Sequence, residues 1–590
     1  MTQNIFSDVR ARVIAALGTI VPDLPPEVAA RVEVSPTKDA AHGDMATNAA
    51  MVAAKPAKMK PTEIAAKLVA ALADDADIES AAAAGPGFVN LRLRAGSWRG
   101  LLPGILQAGE AFGASDAGQG VRVNIEYVSA NPTGPLHIGH CRGAVVGDAL
   151  ANLMTKAGFR VTKEYYINDA GNQITALCWA TYWRYLQAVG TTMTEEEYSN
   201  EVPGGLQYRG EYLIPVAEAL VAAHGDGLAS EHKGIAAPEV WLEIVRELAL
   251  AMMMASVRED LAVLGVVQDV YSSERELVGR KVTDSTIERL REQGLIYEGI
   301  LEPPKGKTPE DWEPREQTLF RATQFGDDVD RPLRKSDGSA TYFANDIAYH
   351  ADKIGRGADI LIDVLGADHG GYVKRMTSAV KALGGHLDVL LCQIVHVLKD
   401  GQPLRMSKRA GSFVTLRDLI EEVGADAVRF TMLTRKSDAQ MEFDINQAVA
   451  QTRENPVFYV QYAHARCRSV LRAADEMFGA GQLAAAEGAA LESLEDEAEL
   501  ALIRRLASWP RTVEAAALAR EPHRIAFFLY DVASDFHMLW NKGRENAALR
   551  FLQPERTAES LARVALVAAT AVVLRSGLAV MGVRPVEEMR

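Results

Sequence analysis

The run Val121-Arg122-Val123-Asn124-Ile125-Glu126-Tyr127 constrains this chain most, because it is β-branched and apolar enough for a strand buried in a parallel sheet. It leads through a Pro and Gly loop into a helix. The loop and first helical turn read Asn131-Pro132-Thr133-Gly134-Pro135-Leu136-His137-Ile138-Gly139-His140. Two imidazoles three residues apart share a face of that turn, where unpaired backbone N–H groups and the helix dipole favour an anion. Gly139 removes a side chain where a flat base could approach the backbone. The segment reads as a phosphate site, although a His pair can equally cap a helix or pack locally.

Strand-like runs return at Ile360–Leu365 and Val389–Val395, separated by a helix-length segment. This is the rhythm of a βαβ unit and implies the second half of a Rossmann-like sheet. After the first of these runs comes Gly366-Ala367-Asp368-His369-Gly370-Gly371, at the carboxyl edge where ligands of such sheets collect. Asp368 there is either a ligand contact or a helix cap. After the second run comes Asp400-Gly401-Gln402-Pro403-Leu404-Arg405-Met406-Ser407-Lys408-Arg409-Ala410-Gly411-Ser412, a basic, Gly-flanked loop that alone is also compatible with a solvated turn.

At 590 residues the chain exceeds one domain several times over, so three or four units are expected. A net charge of −15 requires any nucleic acid to meet local basic patches. Cys141, Cys178, Cys392 and Cys467 are scattered without a C-x-x-C pair, so neither zinc nor a disulfide framework is expected and a reducing, cytoplasmic location fits. The first residues read as an amphipathic helix on Ile5, Phe6, Val9, Val13, Ile14 and Leu17, not as a signal peptide. The apolar stretch Val564–Leu574 falls short of the ~20 residues needed to cross a bilayer and reads as a buried helix; no membrane partner is expected.

Three units follow: an α/β appendage over 1–117; a core over 118–424 with a helical insertion at about 183–335 and the basic loop at 404–412; and a helical bundle over 425–590. Just after the insertion, Tyr342 and Asp346 are four residues apart, an aromatic and an acid for one side of a helix or simply an amphipathic pattern. In the bundle, Tyr459, Tyr462 and Arg466 share a helical face that can stack bases and neutralise a phosphate, or pack as core. Arg468 and Arg472 would extend its positive charge.

Taken together, the His137/His140 and Lys408 segments resemble the two signatures of class I aminoacyl-tRNA synthetases, the HIGH sequence and the KMSKS loop. Arg405 and Arg409 depart from the loop consensus while Lys408 is kept. Some arginyl enzymes lose that lysine and carry a compensating one three residues before the first His, where this chain has Gly134. The resemblance implies that His137, His140 and Lys408 are catalytic and that Pro135, Leu136, Gly139, Gly366, Asp368, His369, Met406 and Ser407 contact ATP, which arrives with Mg2+.

The surroundings of Glu126, Ser129, Asn131, Tyr342 and Asp346 resemble the arginyl family in particular, and acids there suit a planar guanidinium. By that resemblance Asp346 is the best candidate for the guanidinium. The segments His42–Asn48 and Gly85–Asn90 resemble the N-terminal domain of arginyl enzymes, with Phe88 and Asn90 touching the tRNA D-loop. On the residues alone, both also fit as ordinary strand positions. The last unit resembles the DALR-type anticodon-binding domain, with Tyr459, Tyr462 and Arg466 on tRNA. The implied partners are tRNA(Arg), L-arginine and ATP, and a monomer is expected. The implied reaction forms arginyl-adenylate, with tRNA needed even for that step, and then transfers arginine to the terminal 2′-hydroxyl of tRNA. A cysteinyl enzyme would need a Cys/His cluster for zinc, and a silent tRNA-binding relative would have no need of His137, His140 and Lys408.

Overall fold

An N-terminal helix, α1 (Ile5–Ile20), begins where the Asn4 side chain accepts the Phe6 N–H, and it buries Ile5, Phe6, Val9, Val13 and Leu17. It belongs with an antiparallel sheet of β1 (Val34–Pro36), β2 (Met45–Thr47), β3 (Ile78–Ala84) and β4 (Phe88–Leu93), ordered β1-β2-β4-β3. Gly85 and Gly87 turn β3 into β4 at positive φ, and a side chain at Gly87 would strike Pro61 at 2.6 Å. Along β4 the alternation is strict: Val89, Leu91 and Leu93 are buried, leaving Phe88, Asn90 and Arg92 on the opposite face.

The computed structural model describes residues 4–37, 39–301, 315–404, 414–479 and 491–589. Two compact units emerge, one of Met1–Ala117, Lys156–Gly158 and Gln451–Arg590, the other of Gly118–Thr155 and Phe159–Ala450.

The second unit opens with β5 (Arg122–Glu126), buried from Val123 onward, followed by α2 (Ile138–Lys156) and β6 (Arg160–Ile167). Then come α3 (Asn172–Ala188) and α4 (Pro238–Val263), whose aromatic core includes Tyr182 stacked on Trp241 at 3.9 Å between ring centres. The chain returns through β7 (Val270–Ser273), α5 (Tyr342–Gly355), β8 (Ile360–Gly366), β9 (Leu387–Cys392) and α6 (Leu416–Val423). The five strands form one parallel sheet in the order β9-β8-β5-β6-β7. Strand order reverses between β5 and β8, the position at which doubly wound sheets open a crevice at their carboxyl ends.

The stretch 183–335, expected to be helical, thus contributes β7 to the core sheet. It also carries a small antiparallel sheet of Ile296–Gly299, Gln317–Phe320 and Arg331–Pro332. Strands of four residues or fewer are too short to show a period beside a 26-residue helix.

Two buried cations tie α2 into the second unit. Arg142 donates to the backbone carbonyls of Gln393, Lys436 and Ala439 at 3.1, 2.8 and 2.7 Å. Arg429 meets Asp148 at 2.5 Å, and the same carboxylate takes the Lys163 ammonium at 2.8 Å and the Tyr127 hydroxyl at 3.3 Å.

The helices of the first unit include α7 (Pro456–Phe478), α8 (His523–Glu545) and α9 (Thr557–Met581). At 25 residues α9 is long and apolar enough to cross a membrane by length and composition, yet 83% of its most apolar window is buried inside the protein. It is the core helix of the bundle. Trp509 seals the bundle to the N-terminal part of the same unit: its indole N–H lies 3.1 Å from both the Phe112 carbonyl and the Ser576 hydroxyl. Arg504 adds an ion pair to Asp44 at 3.1 Å.

Candidate active site

The crevice at the β5/β8 switch point holds a cavity of about 620 Å³. Its floor is made by strand ends. Glu126 ends β5 and lies in register beside Asp363 of β8, so two carboxylates are forced together in a buried place. Lys353 of α5 answers both, with its ammonium 2.5 Å from Glu126 and 3.2 Å from Asp363. His350, one turn earlier, places Nε2 at 2.8 Å from Asp363 and Nδ1 at 2.7 Å from the Asp346 carbonyl. Bonding a carbonyl at one nitrogen and a carboxylate at the other suits the imidazolium, which donates at both. Burial opposes each of these charges, but their mutual attraction outweighs it: His350 and Lys353 are raised and Asp363 is held well below the usual carboxylate range.

Asp346 stands apart. It shares a face of α5 with His350 and Lys353, yet among the described residues it pairs with no cation, taking instead the Tyr372 hydroxyl. Burial pushes it up to about 6, with the Tyr372 bond pulling the other way. With Glu126 and Asp363 offset by Lys353 and His350, Asp346 is the carboxylate left to meet a cation.

The upper wall is the loop after β5. Val128 and Ser129 both adopt positive φ, 72° and 39°, which is costly for a β-branched residue and marks a backbone held by its surroundings. Ser129 is held at both ends, its hydroxyl donating to Glu126 at 2.8 Å and accepting the Tyr166 N–H at 3.0 Å. The Asn131 amide donates to Gln173 at 2.8 Å.

His137 and His140 stack with ring centres 3.9 Å apart. His140 Nδ1 accepts the His137 N–H at 3.3 Å, and His137 Nδ1 accepts the Gly139 N–H at 3.1 Å. With both Nδ1 atoms accepting, the proton of each neutral ring sits on Nε2 as a donor. Gly139 is needed for this packing, since a Cβ there would lie 2.8 Å from the His137 ring.

Glu126, Ser129, Asn131, His137, Gly139, His140, Asp346, Gly366, Asp368 and His369 all line the one cavity. Pro135 and Leu136 do not; they sit behind it in the loop, with Leu136 buried. Tyr342 lies outside the lining and is 66% exposed, with the Lys335 ammonium 5.3 Å from its ring centre. Met406, Ser407 and Lys408 fall outside the described residues. Lys353, His350, Asp363, Tyr166 and Tyr372 were not singled out by sequence. The stripe 346–350–353 on one helix face was the available signal.

In the first unit, Arg466 is sandwiched at 4.2 Å from the Tyr462 ring and 4.5 Å from the Trp540 ring, bonding also to the Tyr462 hydroxyl and to His537. Tyr459 is buried against His537 and Tyr530. The positive patch expected of Arg468 and Arg472 is offset, because they pair with Glu587 and Glu588 at 2.6 and 3.6 Å. Phe88 is 40% exposed on the sheet face it shares with half-buried Asn90.

Three family descriptions match successive segments: the arginyl tRNA synthetase N terminal domain at 7–93, the class I (R) tRNA synthetase catalytic domain at 102–195, and the DALR anticodon binding domain at 460–589. The chain is 61% identical to the arginine–tRNA ligase of Gluconobacter oxydans, covering all of this chain and 98% of that protein. It is 56% identical to that of Paracoccus denitrificans, covering both chains fully. The fold matches the arginyl-tRNA synthetase of Thermus thermophilus with a TM-score of 0.72 at 21% identity, over 98% of this chain and all of that one. With three matching segments in order and relatives similar along their whole length, the chain belongs to the arginyl-tRNA synthetase family.

Proposed function

We propose that the cavity between β5 and β8 is where arginine and ATP meet, and that its parts divide the work. As a member of its family the chain is an arginine–tRNA ligase: it consumes ATP to activate L-arginine and joins the arginine to tRNA(Arg). The observation that carries the reading of the pocket is the charge balance: Glu126 and Asp363 are met by Lys353 and His350, while Asp346, among the described residues, has a hydroxyl partner and no cation. A guanidinium supplies that charge and can bond a carboxylate through two parallel N–H groups. Glu126 and Ser129, locked together, and Asn131 form the end that orients the rest of the amino acid, and Tyr342 closes over the rim.

At the other end, His137 and His140 present Nε2 donors to the phosphates of ATP, beside the first helical turn of α2. Gly366, Asp368 and His369 receive the adenosine, with Pro135 and Leu136 shaping the loop behind. Lys408, with Met406 and Ser407, neutralises the pyrophosphate as it leaves. In the first step the arginine carboxylate oxygen attacks the α-phosphorus and the bond to pyrophosphate breaks. In the second the terminal 2′-hydroxyl of tRNA attacks the acyl carbon and AMP leaves. Positioning and electrostatics supply the acceleration. Mg2+ enters bound to ATP as part of the substrate.

The tRNA is held by Phe88 and Asn90 on the N-terminal sheet and by Tyr462 and Arg466 on α7, with Tyr459 supporting them from below. We read the domains as 1–117, 118–424 and 425–590, and the enzyme as a cytoplasmic monomer. Arginine-dependent exchange of labelled pyrophosphate into ATP tests the reading. Exchange is expected with arginine and tRNA together, and to fall roughly 30-fold or more in kcat/KM for arginine in Asp346→Asn, the cost of unpairing a buried charge. Unchanged exchange in that variant would remove Asp346 from the pocket.

A further inference from the structure

The helices between β6 and β7 carry no part of the reaction as described, yet they touch the loop that does. Asp260, near the end of α4, is buried beside the Leu136 backbone amide, which favours its ionised form. The same carboxylate takes the Arg417 guanidinium, with Nη2 at 2.9 Å and Nε at 3.0 Å. Arg417 stands in the first turn of α6, whose start is fixed by a capping box between Thr415 and Asp418. Leu416 closes the circuit: its N–H donates to the Leu136 carbonyl at 2.8 Å, and His137 bridges Thr415 next to it. Asp260 and the start of α6 together therefore join three separate stretches of chain, two of which adjoin the signatures in sequence.

The other end of the loop is held from the same insertion. Tyr212 donates its hydroxyl to the Thr133 carbonyl at 2.8 Å, and its ring lies so close over Gly134 that a Cβ there would sit 3.2 Å away. A Cβ at Gly210 would lie 2.0 Å from the Tyr212 ring, so that glycine lets the ring fold back onto the loop. Tyr212 packs against the aromatic core of α3 and α4. The loop 133–136 is thus held at Thr133 by Tyr212, which packs on the ring-filled core, and at Leu136 by the start of α6, which Asp260 ties to α4.

We infer that Asp260 and Tyr212 are positioning residues through which the insertion holds the loop leading into His137 and His140, with Asp260 also setting that loop's register against α6. The inference rests on reading His137 and His140 as the ATP contacts. Displacement of such groups by an ångström costs on the order of 100-fold in rate, whereas arginine, bound at Asp346 on α5, is untouched.

The test is arginine-dependent pyrophosphate exchange on the full chain with tRNA, normalised to active sites, with thermal unfolding in parallel. Asp260→Asn keeps an acceptor for Arg417 and loses only the charge; Asp260→Ala loses both. Expected is a graded fall in kcat/KM for ATP, wild type above D260N above D260A. D260A should be down on the order of 10- to 100-fold, R417M close to D260N, Y212F down by less, and KM for arginine constant. A drop in unfolding temperature with unchanged kinetics per active site, in Y212F as in D260A, would make both residues merely structural and overturn the inference. His140→Ala separates the two readings: full activity there overturns the ATP assignment, while a large loss there beside normal D260A and Y212F enzymes overturns this inference alone.

Discussion

Asp148 and Asp346 lie in the same unit, the first fully buried and the second half-buried at the cavity wall, and their surroundings treat them oppositely. Asp148 is fully buried and met by Arg429, Lys163 and the Tyr127 hydroxyl. Asp346 has one hydroxyl, from Tyr372, and no cation among the described residues. A buried acid whose charge is answered inside the fold holds the fold together, while one left unanswered at a cavity wall is available to a ligand. Compensation of the charge, more than depth, sets them apart.

The contrast can be broken from either side. The largest effect is expected at Asp148: Arg429→Met leaves a buried carboxylate short of its main partner and should cost about 3–5 kcal/mol in chemical denaturation, with KM for arginine unchanged. Asp346→Asn should do the reverse. Its stability is expected to hold or rise, while arginine binding falls by about 2–5 kcal/mol in direct titration.

A smaller effect is the dependence on pH. Because Asp346 is raised to about 6, above the ordinary value near 4, the ligand-free protein keeps that proton when the unfolded chain has lost it. Its contribution to stability is therefore present below about pH 4 and lost as pH rises through about 6. Arginine affinity moves the other way, increasing as the carboxylate forms, and D346N should flatten both trends. Tyr372→Phe, which removes the one bond favouring the ionised form, should shift the arginine-binding step to higher pH at a cost of about 1 kcal/mol in affinity. An unshifted step would mean that Tyr372 does not set the charge on Asp346.

The sequence made one half of this comparison legible. The strand Val121–Tyr127 and the loop to His140 show in local pattern and the acid at 346 through family resemblance, and β5, α2 and α5 stand where these put them. Lys353, His350 and Asp363 did not, because what brings them together is sheet order: only when β8 pairs with β5 does Asp363 fall beside Glu126 and call for a buried cation. Tyr342 shows the limit of helical spacing. It is the first residue of α5, next to the Thr341 cap, where a side chain leans back past the helix end and so stays outside the cavity that Asp346 lines. Tyr459 and Tyr462, three apart on α7, likewise part company, one buried under His537 and the other half-exposed with Arg466.

The most direct test of the central claim, that Asp346 is the carboxylate awaiting the guanidinium, is proton release on arginine binding. It is read by titration calorimetry near pH 6 in buffers of different ionisation enthalpy. A fraction of a proton is expected to be released per arginine bound by the wild-type enzyme, vanishing in D346N together with most of the affinity. Binding of equal strength in D346N, or binding by the wild type with no proton released, would contradict it.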